Sequence, residues 1–139
     1  MKICGIEIKG SDAILAIVEK NHEGIVHLPV ETKKIPLIDD ESSEHVKSFA
    51  ELMRGFARDN GLKSIAVKKR AKKGEFSGGA VTFKIEGLIQ LVEDCSVELL
   101  SAPTISAANR KDTFEIPNTL KKYQHEAFLT ARAAILRSN

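Results

Sequence analysis

The segment with the clearest chemical potential is a run of basic residues near the middle of the chain. Between positions 68 and 73, five of the six side chains carry positive charge. Such a cluster can neutralise several backbone phosphates, and each contact adds salt-dependent affinity for a nucleic acid. Aromatic side chains for base stacking are lacking beside the run, except for Phe76. The alternatives are a solvated loop that only aids solubility, or nucleic-acid contacts made by Lys68, Lys69, Arg70, Lys72 and Lys73.

A short glycine-rich sequence, Ser77-Gly78-Gly79, follows the basic run and leads into a periodic apolar segment. The first backbone N–H groups of a helix can bind a phosphate oxygen, because they have no intrahelical partner. We therefore predict a phosphate-binding site at Ser77, Gly78 and Gly79. The segment is not a P-loop, since Gly-Lys-Ser/Thr is absent.

Other residue types form no familiar catalytic pattern. Cys4 and Cys95 have no metal-ligand spacing and are expected to be inert thiols in a reducing compartment. The four histidines fall in separate predicted elements, so no Ser-His-Asp or Cys-His arrangement is indicated. Gly5-Ile6-Glu7 lacks the third glycine and the crossover helix of a dinucleotide-binding fingerprint.

Length and composition indicate the class of protein but say less about its function. The 139 residues match the size of one domain, and we predict a single domain over residues 1–139. A net charge of +2 is too small to diagnose nucleic-acid binding by itself. Glu7 and Lys9 interrupt the first apolar run, so no signal peptide is indicated. No segment approaches the ~20 apolar residues that cross a bilayer, and a cytoplasmic protein is expected.

The elements that must position these groups change type along the chain. Apolar runs at residues 3–8, 13–18 and 25–28 are separated by turn residues, which predicts three antiparallel strands in hairpins. Helical spacing then predicts a helix that begins at Ser42 or Ser43 and ends at Asn60-Gly61.

The second half alternates between the two periodicities. Strands are predicted at residues 62–67 and 97–100, on either side of a helix over 80–93. Residues 103–117 are ambiguous, and a last helix capped by Asn118 or Thr119 would place Leu120, Tyr123 and Ala127 on its apolar face. This order predicts an α/β fold with a mixed five-stranded sheet, in which three antiparallel strands precede alternating helices and strands.

The first strand, Gly5-Ile6-Glu7 followed by Gly10-Ser11, resembles the opening of RuvC-type Holliday junction resolvases. In those proteins an acidic residue follows Gly-hydrophobic on strand one and precedes a Gly-Ser turn. The order of elements is also similar to that of the ribonuclease H-like superfamily, and the whole chain resembles an uncharacterised bacterial family of RuvC-like proteins. The resemblance implies a ribonuclease H-like fold, a branched or duplex nucleic acid as partner, and a homodimer.

The resemblance also implies which residues correspond to a catalytic set. Resolvases bring acidic residues from strand one, strand four and the last helix to divalent metals, so Mg²⁺ or Mn²⁺ would be the cofactor. By position, Glu7 takes the first acidic place and Glu126 one on the last helix, whose acidic partner is replaced by Tyr123 or Leu129. Lys68 stands where resolvases carry a glutamate. Glu7, Glu126 and Lys68 are therefore candidate catalytic residues, and Glu7 and Glu126 are candidate metal ligands.

Three functions follow from these candidates. Two carboxylates beside an ammonium bind a hard cation poorly. The leading prediction is therefore a RuvC-like domain without robust nuclease activity, which acts as a nucleic-acid-associated or protein-interaction module. The first alternative is a metal-dependent nuclease that uses Glu7, Glu126 and a third acid from a loop: Asp12, Glu75 or Asp112. The second alternative is a small phosphate-ligand binding protein centred on residues 77–79.

Overall fold

The computed structural model describes residues 1–71 and 79–138. Its strands are β1 (Lys2–Lys9), β2 (Asp12–Asn21), β3 (Gly24–Leu28), β4 (Lys34–Pro36), β5 (Ser64–Lys68) and β6 (Ser96–Leu100). Its helices are α1 (Ser43–Asp59), α2 (Ala80–Gln90), α3 (Ala102–Asn109) and α4 (His125–Arg137), and a 3₁₀ turn at Lys122–Gln124 precedes α4. Within these described ranges, no helix is both long and apolar enough to span a membrane.

The strands form one mixed sheet in the order β3-β2-β1-β5-β6. The strand β1 lies antiparallel to β2 and parallel to β5, and β6 continues the parallel half. The predicted mixed sheet is confirmed, and a sixth strand, β4, adds to it. The ten-residue strand β2 pairs with β4 along its first residues and with β3 along its last.

Helices cover both faces of the sheet. One hydrophobic core lies under α1 and α2 and takes the even-numbered side chains of β1, including Ile6 and Ile8. The second core lies under α3 and α4 and takes Ile3 from the opposite face of β1. Successive side chains of a strand point to opposite faces. Glu7 therefore shares the face of β1 on which α4 packs.

The first helix begins and ends as the sequence predicts. The hydroxyl oxygen of Ser42 accepts a hydrogen bond of 3.3 Å from the backbone N–H of His45, and Asn60 is the C-cap. This satisfies one of the N–H groups that the first turn of a helix leaves unpaired. The second helix ends at Gln90, three residues before the predicted end.

The last helix begins later than predicted. Thr119, a predicted cap, instead bonds through its hydroxyl to Nδ1 of His27 at 2.7 Å. The helix starts after Gln124, whose Nε2 donates to the backbone oxygen of Leu15 at 2.8 Å. The prediction that Tyr123 faces the core is also wrong, because the residue is 38% exposed and its ring lies beneath the Lys34 ammonium.

Candidate functional site

The carboxyl ends of β1 and β5 bring two predicted site residues together. Ile6 pairs with Val67 in the parallel ladder, so the next residues along the two strands, Glu7 and Lys68, are neighbours at the same edge. The first turn of α4 supplies Glu126, and Nζ of Lys68 donates to Oε1 of Glu126 at 2.8 Å. The structure thus places Glu7, Lys68 and Glu126 at one strand end, while their chemical roles remain predictions.

A glycine allows α4 to lie close enough for this arrangement. A Cβ atom at position 5 would lie 2.0 Å from the backbone oxygen of Ala127 and 2.7 Å from the backbone nitrogen of Ala131. Any side chain there would collide with the helix backbone, so Gly5 permits the direct packing of β1 against α4. The spacing between Glu7 and Glu126 depends on this contact.

Burial has the largest effect on the ionisation of Glu7 at the strand end, and most of the charged groups that act on it are cations. Burial raises the pKa of the half-buried Glu7 carboxyl, the Lys68 ammonium partly offsets this, and Glu126 raises the pKa further. Lys9 and Arg70 act in the same direction as Lys68. Since burial disfavours the ionised carboxyl, Glu7 is a weaker ligand for a cation than an exposed glutamate would be.

The donor set does not fit a divalent metal of the kind that the resemblance implies. Mg²⁺ and Mn²⁺ are hard ions that need several oxygen ligands. Glu126 already binds the ammonium of Lys68, and the ionised form of Glu7 is disfavoured by burial. In residues 1–71 and 79–138, no group of three or more His, Cys, Asp or Glu side chains could hold a metal ion.

The loop acids named as a third ligand do not complete the set. Asp12 lies opposite Lys9 in the hairpin that joins β1 to β2. Asp112 forms an ion pair with Arg132, with Oδ1 at 2.6 Å from Nη2. Glu75 lies outside the described residues. The two placed acids therefore have other neighbours.

The start of the basic run continues from β5 at the same edge. The backbone N–H of Lys69 donates to the carbonyl oxygen of Leu100 at 2.8 Å, and the Lys69 side chain is exposed. The backbone N–H of Arg70 donates to Oε2 of Glu86, which is buried on α2. Two further predicted contacts, Lys72 and Lys73, lie outside the described residues.

The predicted phosphate site is described at one of its three residues. Gly79 is the N-cap of α2, and its carbonyl oxygen accepts hydrogen bonds from the backbone N–H and the hydroxyl of Thr82 at 3.1 and 2.6 Å. Ser77 and Gly78 lie outside the described part of the chain. Phosphate binding at this segment stays a prediction.

The two cysteines occupy positions that suit unreactive thiols. Burial raises the pKa of the Cys4 thiol to about 12, and the thiol of Cys95 donates to the backbone oxygen of Leu62 at 3.3 Å. A thiol reacts as its thiolate, which burial disfavours.

A cavity of about 440 Å³ opens beside the Lys68–Glu126 pair. Its remaining wall comes from α3, α4 and the segment that follows α3: Ala102, Ile105, Ser106, Asn109, Arg110, Phe114 and Leu129. Sequence reasoning missed this cavity because residues 103–117 showed no clear periodicity. Two signals were available, namely a lone aromatic residue, Phe114, in a polar stretch, and an arginine, Arg132, among the apolar residues of the last helix.

Comparisons with known structures identify the fold. RuvC of Thermus thermophilus matches with a TM-score of 0.78 at 10% identity, over 99% of this chain and 95% of that chain. T. thermophilus RuvC in complex with Holliday junction substrate matches with a TM-score of 0.74 at 12% identity, over 99% and 94%. The yeast mitochondrial Holliday junction resolvase Ydc2 matches with a TM-score of 0.55 at 11% identity, over 98% and 77%. The fold is therefore the RuvC-like, ribonuclease H-like fold that the sequence resemblance implied.

Sequence comparisons identify a family whose description names no activity. A family model described as "Protein of unknown function (DUF3010)" matches residues 1–134. No curated protein matches the sequence. At the low identities of the structural matches, likeness of fold carries no chemistry with it.

Proposed function

The chain belongs to the DUF3010 family, and we propose that it is a nucleic-acid-binding RuvC-like domain that does not cleave its partner by two-metal chemistry. The observation that carries this proposal is the 2.8 Å contact between Nζ of Lys68 and Oε1 of Glu126. The Lys68 ammonium is a positive charge that belongs to the chain itself, and it lies beside the carboxylates of the strand end.

The burial of this contact favours a lasting ion pair. The side chain of Lys68 is 21% exposed and that of Glu126 is 44% exposed. An exposed ion pair contributes little to the free energy of folding. A charge-assisted hydrogen bond at this distance, with one partner mostly buried, is stronger. A divalent ion would have to displace the ammonium and also overcome its repulsion.

The cations around the site support a polyanionic partner. Lys9, Lys68 and Arg70 all act on Glu7, and Lys69 extends from the same edge with an exposed side chain. A positively charged edge attracts phosphates through counterion release, without contacts to individual bases. One of the structural relatives is described in complex with a Holliday junction, and we extend this class of partner to the present chain.

The proposal is tested by binding to a four-way DNA junction and to a duplex, measured by fluorescence anisotropy at several salt concentrations. We expect Lys69→Glu combined with Lys72→Glu to weaken binding at least about tenfold and to reduce the salt slope by about 2. The matched control, Lys20→Glu with Lys63→Glu, makes the same charge change at exposed positions at the opposite end of the sheet, where β1 and β5 begin. Equal weakening in both variants would leave only a net-charge effect and would refute the assignment of the edge.

Cleavage is tested on the same junction with Mg²⁺ or Mn²⁺. We expect no product from the wild-type protein, because Lys68 faces the carboxylates that would hold the metals. Metal-dependent cleavage that disappears in Glu7→Gln would overturn the proposal in favour of a nuclease.

A further inference from the structure

We propose that the cavity between α3 and α4 binds one mononucleotide unit, a planar base joined to a phosphate. The nucleotide is either an unpaired unit of a bound nucleic-acid strand or a free nucleotide. Only the first of these two sources rests on the proposed function. Its basis is the combination of an aromatic wall, a fixed frame and an excess of positive charge around one cavity.

The size and the wall of the cavity suit a small planar ligand. Its volume of about 440 Å³ lies within the ~300–1,000 Å³ range of small-molecule sites. Ile105, Leu129 and the half-buried ring of Phe114 form apolar parts of the wall. An aromatic ring at the wall can stack on a nucleobase of any type, because every base has a π face.

The aromatic wall is held in place before any ligand binds. The guanidinium of Arg132 lies 3.6 Å from the ring centroid of Phe114, and the ring of Phe128 lies 6.4 Å away. Arg132 is itself buried and is fixed by Asp112 at 2.6 Å. A preformed wall lowers the entropic cost of binding a ligand.

The two helices that flank the cavity are joined by one amide. Nδ2 of Asn109 donates to the backbone oxygens of Ile105 at 2.9 Å and Leu129 at 3.0 Å, and its Oδ1 accepts from Arg132 at 2.9 Å. These bonds occupy both polar atoms of the amide, so Asn109 serves the frame of the cavity. The groups that can meet a ligand are the N–H donors of Arg110 and Lys68 that their bonds to Ser106 and Glu126 do not use.

The charged groups around the cavity favour an anion. Among the residues that line the cavity, Lys68 and Arg110 carry positive charge and Glu126 carries the one negative charge. The exposed guanidinium of Arg110 is directed by a 2.7 Å hydrogen bond from Nη1 to the hydroxyl of Ser106. A guanidinium can bind phosphate through two parallel hydrogen bonds. A phosphate at this side and a base against Phe114 together describe a nucleotide.

The test is calorimetric titration with AMP and UMP, with adenosine and ribose 5-phosphate as the separate halves of the ligand. We expect saturable binding of the monophosphates at one site. Arg110→Gln should weaken AMP binding at least about tenfold and leave adenosine unchanged, because it removes only the phosphate contact. Phe114→Leu should weaken both AMP and adenosine at least about tenfold, because it removes the stacking ring.

The controls separate these effects from general changes in charge or aromatic content. Arg58→Gln removes an exposed charge on α1, and Tyr123→Leu removes an exposed ring outside the cavity wall. Both should bind AMP as the wild type does. Because Arg110 is exposed, its variant keeps the fold intact even if Phe114→Leu is destabilised. Failure of the monophosphates to bind, or equal binding by the Arg110 variant and the wild type, would overturn the inference.

The source of the nucleotide is read from a second titration, with DNA junctions that contain or lack one unpaired nucleotide. If Phe114→Leu binds more weakly than the wild type only to the junction with the unpaired nucleotide, the cavity is assigned to a unit of a nucleic-acid strand. Unchanged junction binding, with AMP binding lost, assigns it to a free nucleotide. The Lys69 and Lys72 variant reports on the proposed function separately, so either proposal can fail while the other stands.

Discussion

Replacement of Gly5 by alanine tests the contact between β1 and α4 that brings the site residues together. The added methyl group would lie 2.0 Å from the carbonyl oxygen of Ala127 and 2.7 Å from the backbone nitrogen of Ala131. Ordinary contact requires ~3.5 Å, so α4 must move by more than about 1 Å. Because the atoms that are met belong to a helix backbone, no side-chain rotation can relieve the overlap.

The expected cost follows from the same geometry. An added methyl group in a packed core costs about 1–3 kcal/mol, and a collision with backbone belongs at the upper end of that range. We therefore expect Gly5→Ala to lower the free energy of unfolding by about 3 kcal/mol, out of the ~5–15 kcal/mol typical of a domain. The midpoint of thermal unfolding should fall by roughly 10 °C.

The assay is urea unfolding followed by circular dichroism, with Gly55→Ala as the control. Both variants add one methyl group, but a Cβ atom at position 55 meets only Nη2 of Arg58, at 3.7 Å. Since Gly55 lies inside α1, alanine there should stabilise the protein by up to about 1 kcal/mol. A free energy of unfolding for Gly5→Ala within about 0.5 kcal/mol of the wild-type value would refute the described packing of α4 on β1.

Three other outcomes follow from the charged groups. Because burial raises the pKa of Glu7, its contribution to stability is present below the ordinary pKa of 4.5 and is lost as pH rises through the raised value. Glu7→Gln should therefore unfold at higher urea than the wild type at neutral pH, with a flatter dependence on pH. Asp112→Asn should cost about 2 kcal/mol in the same assay, because the buried guanidinium of Arg132 loses its carboxylate, and an unchanged midpoint would contradict this. Lys68→Glu should give saturable Mn²⁺ binding in calorimetry that the wild type lacks, because it replaces an ammonium with a third carboxylate beside Glu7 and Glu126. Absence of Mn²⁺ binding by this variant would show that Lys68 is not what opposes the metal.

The elements that the sequence predicted best are those whose signals are local. The first helix is bounded by Ser42 and Asn60, which lie directly beside its apolar stripe. The start of the last helix was predicted too early, because it depends on a hydrogen bond from Gln124 to Leu15 across 109 positions. No local pattern reports a partner at that separation.

The candidate site was likewise predicted only in part from the sequence. Glu7, Lys68 and Glu126 were found through resemblance to a known fold, and their spacing required Gly5 and α4 in three dimensions. The cavity beside them was not predicted, because its frame joins Asn109 to Arg132 through contacts between two helices. The homodimer that the resemblance implies stays a prediction.

The side of the sheet formed by the outer strands β3 and β4 affects how readily molecules associate at high concentration. A long strand with unpaired backbone groups can recruit a strand from another molecule and begin aggregation. The ten residues of β2 would present such a strand, but β3 and β4 cover it in lengths of five and three residues. The outer strand β4 contains Pro36, which has no N–H to donate, and an exposed lysine, Lys34. The short lengths of β3 and β4, together with Pro36 and Lys34 on β4, disfavour edge-to-edge association on this side of the sheet.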